Sequence, residues 1–576
     1  MRHDPGADVE QLLALSGPAL DQLFRASPAG GVPDGEARGT VLPARGARVS
    51  RALAALTRLT AWQGKVFDPP RGELRNLLTP FGVAAVRARV YRGPSWFDDK
   101  ECTVLDYSWT SLLAHRVRDE IREVAPGRYL GLVYWGRRKI LHFALDFTDP
   151  PASPPRAVTV RAVVPADRVA DVQAVLTGAA RRKGAAGEPI PFAELTGVHF
   201  ARLVLVPGGN DLAGGEVPAS VVYMCEVDAS PDAHLADLAR KADGGLGEVF
   251  GPCEGFPGGG APEAELIAWL RAHSVPSAAF YVNTAGRRLQ QIQQEARLRE
   301  AIEDFLDRRG GSPPDADPMA VRADIQRFVT GRPDLAWART PVPPPDRRTR
   351  LRQAAHRYGV PLAGLALAPV LPFAVPAWAA LLRLHERRDV PSRERPTPEH
   401  VARLAACEDF AAQNPFTAVG LVKAGRFRRA TLTGLLFAVD YGARHLYNRG
   451  DLAGVKTIHF ARWLFIDDKR RVIFASNYDG SLESYMDDFI DKVAWGLNAV
   501  FSNGHGYPRT RWLIGGGARD EQAFKYYLRC HQVPTEVWYS AYDTLTTHHI
   551  NTNARVRAGL FAELGPAETQ AWLALL

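Results

Sequence analysis

The tetrapeptide His199-Phe200-Ala201-Arg202 returns as His459-Phe460-Ala461-Arg462, and the flanks of the two copies decide how the chain is organised. Were the recurrence chance, nothing around it would correspond. Asp228 and Ser230 answer Asp479 and Ser481, and Gly255-Phe256-Pro257 answers Gly506-Tyr507-Pro508. Arg271, His273, Val275, Pro276 and Tyr281 answer Arg529, His531, Val533, Pro534 and Tyr539 in the same order and spacing. Ile292, Ala296, Arg297 and Arg299 then answer Ile550, Ala554, Arg555 and Arg557. The chain carries an internal duplication.

Each copy reads as the same string of elements. The first gives a strand AVTVRAVV, a helix ADRVADVQAVL, strands HFARLVLV and SVVYMCEV, a helix PDAHLADLARKA and a last strand SAAFYVN. The second gives FTAVGLVK, RRATLTGLLFAVDYG, IHFARWLFI, RVIFASN, SLESYMDDFIDKVAWGL and EVWYSAY. The order is βαββαβ with an extra helix before the last strand, which is the ferredoxin-like unit. Such a sheet covers one face with helices, so two in one chain are expected to bury their open faces against each other, as an intramolecular α+β barrel with a cavity between the sheets. On a strand, alternation sends His459 and Ala461 to one face and Phe460 and Arg462 to the other. Either the histidine or the arginine faces the cavity, and both can equally be scaffold groups that fix packing.

The rest of the chain divides at its prolines. Pro150-Pro151, Pro154-Pro155 and Pro341 through Pro345 mark linkers. Before the first cluster, VRARVYR, CTVLDYS, YLGLVYWG and KILHFALDF are rich in Val, Tyr, Trp and Leu and read as an antiparallel barrel over residues 1–150. The expected domains are that barrel, a first ferredoxin-like unit over 156–310, a linker over 311–400 and a second unit over 401–576. A chain of 576 residues is too long for one core.

Within the linker, Val360 to Leu382 carries no charge and is long enough to span a bilayer, yet Pro361, Pro369, Pro372 and Pro376 break it. Arginines flank it on both sides, Arg347, Arg348, Arg350, Arg352 and Arg357 before and Arg383, Arg387 and Arg388 after. Two basic flanks suit a segment that enters and leaves on the cytoplasmic side, a monotopic or re-entrant anchor at an anionic membrane surface. The alternative is an apolar linker packed between domains. Hydrophobic residues make up 46% and charged residues 23%, with a net charge of +8, so a folded protein is expected. No basic-aromatic stripe or motif points to nucleic acid. Five scattered cysteines without CxxC spacing argue against a disulfide scaffold or structural zinc, and with acidic residues near the N-terminus an export signal is not expected. A cytoplasmic location, peripheral at the inner face of the membrane, is expected.

The copies differ where chemistry would sit. The second has Asn477-Tyr478-Asp479-Gly480-Ser481 against Glu226-Val227-Asp228-Ala229-Ser230. Asp479 reads as a helix cap or, beside Asn477, as a proton-handling carboxylate at a cavity mouth. No HExxH-type spacing accompanies His505, His531, His548 and His549, so a metal site is not expected.

Two-unit ferredoxin-like barrels resemble the dimeric α+β barrel superfamily, which includes dye-decolorizing peroxidases, chlorite dismutase-like haem proteins and small cofactor-free monooxygenases. Ser476-Asn477-Tyr478-Asp479-Gly480 is similar to the GxxDG peroxidase motif, without its first glycine and in the second repeat rather than the first. The resemblance implies an oxidoreductase acting on an apolar small molecule or lipid, with Asp479, Asn477, His459, Arg462 and Tyr539 as catalytic candidates. If haem is the cofactor, His531 or His459 is the implied ligand, with Arg462 on the distal side and Arg529 as a further cofactor-binding candidate. Gly35-Glu36-Ala37-Arg38-Gly39, Trp62-Gln63-Gly64-Lys65-Val66-Phe67, Trp96-Phe97-Asp98 and Tyr129-Leu130-Gly131 resemble bacterial lipocalin-like GxWxG barrels, with Arg38 where the motif has tryptophan. That implies a cup for an apolar ligand, unless Trp62, Trp96, Tyr129 and Trp135 fill it. The second function class is therefore a non-enzymatic lipid or hydrophobic-ligand binding protein.

Overall fold

The computed structural model describes residues 155–576 apart from 183, 186, 259, 310–316, 341–346, 410, 448–449 and 451. Of the N-terminal region it describes residues 12, 15–33, 35–42, 64–68, 72–78, 83–108, 115–125 and 127–147. Trp62 and the proline runs at 150–151 and 341–345 lie outside the described residues. The fold is mixed α+β. It separates into two compact units, residues 1–153 with 343–362, and residues 154–342 with 363–576.

In the first unit, helix α1 (Gly17–Ala26) precedes β1 (Gly35–Leu42), β2 (Gly64–Asp68), β3 (Glu73–Leu78), β4 (Val83–Pro94), β5 (Glu101–Asp106), β6 (Val117–Ala125), β7 (Arg128–Trp135) and β8 (Arg138–Asp146). Every strand pairs antiparallel with the next and β8 pairs with β1, which closes a barrel and leaves no edge. Phe67, Leu74, Leu105, Ile121 and Phe143 form its core. Gly131 is required there, because a Cβ would sit 2.2 Å from the Phe143 ring. Of the aromatic residues expected to fill the barrel, Tyr129 is buried. Trp96 and Trp135 are exposed instead, Trp96 lying beneath the Arg118 guanidinium. Lys65 is buried with its Nζ donating to Asn76 (2.8 Å), Tyr107 (2.5 Å) and Asp119 (2.8 Å). Burial pulls the lysine pKa down and pushes the Tyr107 hydroxyl up, and the Asp119 carboxylate opposes the first shift.

The second unit contains both repeats. The first comprises β9 (Arg156–Val164), α2 (Val169–Arg181), β10 (Val198–Val206), β11 (Ala219–Val227), α3 (Pro231–Lys241), α4 (Asp243–Phe250), α5 (Glu263–Ala272), β12 (Ala279–Val282) and α6 (Leu289–Arg308). The stretch expected as a linker holds α7 (Pro318–Thr330), α8 (Arg347–Ala366), α9 (Leu371–Arg388) and α10 (Pro398–Ala405), of which α8 belongs mostly to the first unit. The second repeat follows as β13 (Gln413–Leu421), α11 (Arg426–His445), β14 (Ile458–Ile466), β15 (Arg471–Asp479), α12 (Leu482–Phe501), α13 (Glu521–His531), β16 (Val537–Ser540) and α14 (Thr547–Leu560), with α15 (Pro566–Leu573) at the end.

The expected strand order within each repeat is present, but the last strands are exchanged. The first sheet runs β16-β10-β11-β9 and the second β12-β14-β15-β13. Leu203 of the first repeat is thus opposite Val537 of the second, and Trp463 of the second is opposite Ala279 of the first. Neither repeat completes its sheet alone, so the two fold as one unit rather than as separate domains. Helices cover the outer faces, with Leu176, Leu238 and Leu270 against the first sheet and Leu432, Phe489 and Phe524 against the second. Nor is 311–400 merely a tether, because Ile325 and Val329 of α7 pack on Val556, Leu560 and Trp572.

Between the sheets the expected cavity is replaced by packed side chains. Val204, Val222, Leu464 and Ile473 fill one end, and Phe200, Phe460, Ile292, Tyr542 and Ile550 the other.

Candidate functional site

A bulge overturns the alternation argument for HFAR. The register of β10 shifts between Val198 and Phe200, and that of β14 between Ile458 and Phe460. An extra residue re-aims the side chains beside it. His199 therefore packs on Phe460 (5.5 Å between ring centroids) and His459 on Phe200 (5.3 Å), while Arg202 and Arg462 cross the same inter-sheet space. Histidine and arginine share a wall after all.

The two arginines clasp the sheets reciprocally. Arg462 donates to Val158 O (2.8 Å), Thr159 Oγ1 (3.0 Å), Cys225 O (2.7 Å) and the Glu226 carboxylate of the first sheet. Arg202 donates to Phe416 O (2.8 Å), Thr417 Oγ1 (2.9 Å), Ser476 O (2.8 Å) and Asn477 Oδ1 of the second. Asn477 stands where the first repeat has Glu226, and its Nδ2 approaches that carboxylate at 3.4 Å. Arg462 alone contacts that carboxylate, and Arg202 feels its charge from across Asn477. Burial, with the second guanidinium adding to it, lowers the Arg202 pKa to about 10, and Glu226 limits the fall.

Asp479 is a helix anchor, though not of the helix that follows it. Ser481 caps α12 through Ser484 N (3.3 Å). Asp479 Oδ1 meets His459 Nε2 at 2.7 Å, while Oδ2 accepts from the backbone N and Oγ1 of Thr547, both at 2.8 Å, at the start of α14. The first repeat does the same with His199, Asp228 and Leu289 N at the start of α6. Negative charge at a helix N-terminus is favourable, and a strand carboxylate here sets where a distant helix begins. Tyr542 breaks the symmetry by meeting His199 Nδ1 at 3.0 Å, since the matching position is Thr284. Burial raises that tyrosine well above its ordinary pKa, and Asp228, Glu226 and Asp479 add to the rise. His459, Arg462, Asn477 and Asp479 are thus brought together, all buried, with most of their polar groups committed to strands and helices and the Arg462 Nε left without a partner among the described residues.

The remaining candidates lie elsewhere. Tyr539 is on the helix-covered face of the first sheet, stacked on Phe192 at 5.6 Å. Arg529 points to the Glu408 carboxylate, 2.8 and 2.9 Å from its oxygens. His531 closes α13 with Nδ1 donating to Tyr527 O (2.8 Å), an arrangement that His273 repeats with Trp269 O (2.9 Å). Burial lowers the His531 pKa and the Tyr527 carbonyl opposes the shift, so the ring is neutral near pH 7. It separates an inner apolar cavity of about 20 Å³, room for about one water, from an outer one of about 270 Å³ lined by Arg393, Glu394, Arg395, Tyr526 and Cys530. Among the described residues no group of three His, Cys, Asp or Glu side chains is placed to hold a metal ion.

The most unusual surface is the apolar segment. Residues 361–378 are exposed without interruption, among them Leu365 at 68% and Phe373 at 78%. Two prolines find tolerable places, Pro369 in the break at 367–370 and Pro372 in the first turn of α9, whereas Pro361 and Pro376 lie inside the helices, where each removes a backbone hydrogen bond. α9 is docked only by its second half, where Leu382 is buried, Trp378 Nε1 donates to Thr431 Oγ1 (3.2 Å) and His385 stacks on Phe427 (4.9 Å). No single helix among the described residues is long and apolar enough to cross a membrane, whereas Thr349–Ala366 and Leu371–Arg388 meet that test as a broken pair. Charge-free length was legible in the sequence. Its exposure was not.

No family model matches the chain, and neither does any curated protein. Among solved structures, the crystal structure of a protein from Thermomonospora curvata is similar over 23% of this chain and 87% of that one, at 22% identity and a TM-score of 0.19.

Proposed function

We propose that the chain is a lipid or hydrophobic-ligand binding protein held at an anionic membrane surface by the α8–α9 segment, built as a lipocalin-like barrel followed by two ferredoxin-like repeats. The exposed run 361–378 carries this reading. Soluble monomers rarely leave a large contiguous apolar patch to water, and here residues 361–378 are exposed throughout, uncharged and flanked by arginines. A segment broken in the middle with two basic ends fits the interface, entering and leaving on one side. The commitment of His459, Asp479, Asn477 and Arg462 to the scaffold supports a binding protein over an enzyme centred on them. The test is flotation of the full chain with phosphatidylcholine and phosphatidylglycerol vesicles. Wild type is expected to float. Leu365→Asp with Phe373→Asp should weaken binding at least tenfold, given the cost of about 2.5–3.5 kcal/mol for aspartate at bilayer depth. Both side chains are exposed, so the circular dichroism melt should not change. Wild type left in the lower fraction with both vesicles, or a variant that floats equally well, would end this reading.

The second reading, an oxidoreductase with haem, is favoured by one observation. His531 is neutral, its Nδ1 is fixed by a carbonyl, and no described residue takes its Nε2. The surroundings fit the group poorly, since the inner cavity beside His531 holds about one water and the Nε2 of His459 is taken by Asp479. Titrating the purified chain with haemin and reading the Soret band decides it. A saturable band lost in His531→Ala would favour the enzyme, and a featureless titration would remove it.

A further inference from the structure

Beside the docked half of α9 lies a cavity of about 360 Å³ lined by Arg383, Arg387, Arg509, Thr510, Arg511 and Gly516, with Glu386 as its acidic group. Glu386 is already used. Its Oε1 accepts from Thr510 Oγ1 (3.1 Å) and Leu513 N (2.8 Å), and its Oε2 from Trp512 N (2.9 Å) and Arg383 Nη1 (2.9 Å). This buried carboxylate latches the tight turn of the 510–516 hairpin onto α9, holding Trp512 and Leu513 at φ of 59°, in the left-handed region that such residues avoid. The latch turns Trp512 and Ile514 outward, both about half exposed, with Arg383 against the Trp512 ring. It also leaves the other guanidinium groups without acids. Arg387 and Arg511 have no acidic partner among the described residues, and Arg509 reaches only the Asp389 carbonyl (3.3 Å). The nearby Asp389 carboxylate is held by Lys423 and Arg428.

Four arginines around one spent carboxylate form a cationic cup. It lies along the C-terminal turns of α9, on the helix whose N-terminal half is bare and apolar, and beside a tryptophan of the kind that favours the membrane interface. Guanidinium forks pair with phosphate oxygens two at a time, and a phosphodiester offers two ester oxygens besides its two charged ones, where a fatty-acid carboxylate has two oxygens in all. We propose that this cup binds the phosphate of an anionic glycerophospholipid while the apolar segment sits in the same leaflet. The proposal rests on the membrane reading above and adds to it a headgroup class.

The experiment compares flotation of the full chain on three vesicles: phosphatidylcholine alone, phosphatidylcholine with phosphatidylglycerol, and phosphatidylcholine with oleate adjusted to the same surface charge. Wild type should bind the phosphatidylglycerol vesicles most tightly. Arg387→Gln with Arg511→Gln, both on exposed side chains, should lower that affinity by about fivefold per arginine, hence about 25-fold, and leave binding to phosphatidylcholine unchanged. Equal affinity for the phosphatidylglycerol and oleate vesicles would reduce the cup to general charge attraction and overturn the proposal. So would a double variant that keeps the phosphatidylglycerol preference. Failure on every vesicle would overturn the membrane reading, and the proposal with it, so the two failures look different.

Discussion

Arg462→Ala is expected to cost about 3–5 kcal/mol of stability, the range for removing one partner of a buried ion pair. Arg462 is fully buried, and its loss strands the Glu226 carboxylate between the sheets along with the carbonyls of Val158 and Cys225. Its duplicate gives an internal control. Arg202 makes the same kind of contacts, but the side chain it leaves behind is Asn477, which is neutral. Arg202→Ala should therefore cost about 2 kcal/mol less, because unsatisfied neutral acceptors cost about 1–3 kcal/mol and no buried charge is abandoned. Adding Glu226→Gln to Arg462→Ala should restore part of the loss. Urea denaturation followed by circular dichroism reads all three variants. Equal losses for the two arginines, with no rescue by Glu226→Gln, would show that the charge asymmetry between Glu226 and Asn477 carries no energy.

This asymmetry shows what the sequence could and could not disclose. The duplication, the βαββαβ order and the barrel before residue 150 rest on spacing and local texture, which a single chain displays directly. The exchange of β12 and β16 left no local trace, because SAAFYVN and EVWYSAY have the same strand character whichever sheet they join. The bulge at His199 and His459 is likewise a property of pairing, and one extra residue in the register was enough to bring His459 and Arg462 to the same face. Asp479 beside Ser481 reads as a cap of the next helix, but its carboxylate reaches α14, 68 residues further on. The candidates chosen by their place in the repeat separated for a simpler reason. Arg529 and His531 are two positions apart on α13, and a helix sends such neighbours to different faces.

The two repeats should also answer acid differently. His234 on α3 is buried, its ring lies over Tyr223 and its Nε2 is 2.8 Å from the Tyr223 hydroxyl. Burial lowers its pKa to about 4, with Asp237 only partly offsetting. The unfolded chain has an ordinary histidine near 6.5. Above that pH the imidazole is neutral in both states and costs nothing. As the pH falls from about 6.5 toward 4, the unfolded state takes up a proton that the native state refuses, so native stability drops by about 1.4 kcal/mol per unit and about 3 kcal/mol in all. Below about 4 the folded histidine protonates as well and the penalty stops growing. The matching position of the second repeat is Tyr485, which has no charge to gain in this range and meets Ser476 Oγ at 2.7 Å. His234→Phe keeps a ring over Tyr223 and removes the proton site. The expected result is that wild type loses about 2–3 kcal/mol more than His234→Phe between pH of about 7.5 and 4.5 in urea denaturation. The histidines common to both proteins cancel in that difference. Parallel pH curves for the two proteins would mean that His234 titrates normally in the folded state, and that the first repeat admits water or a counter-charge where its packing closes around the ring.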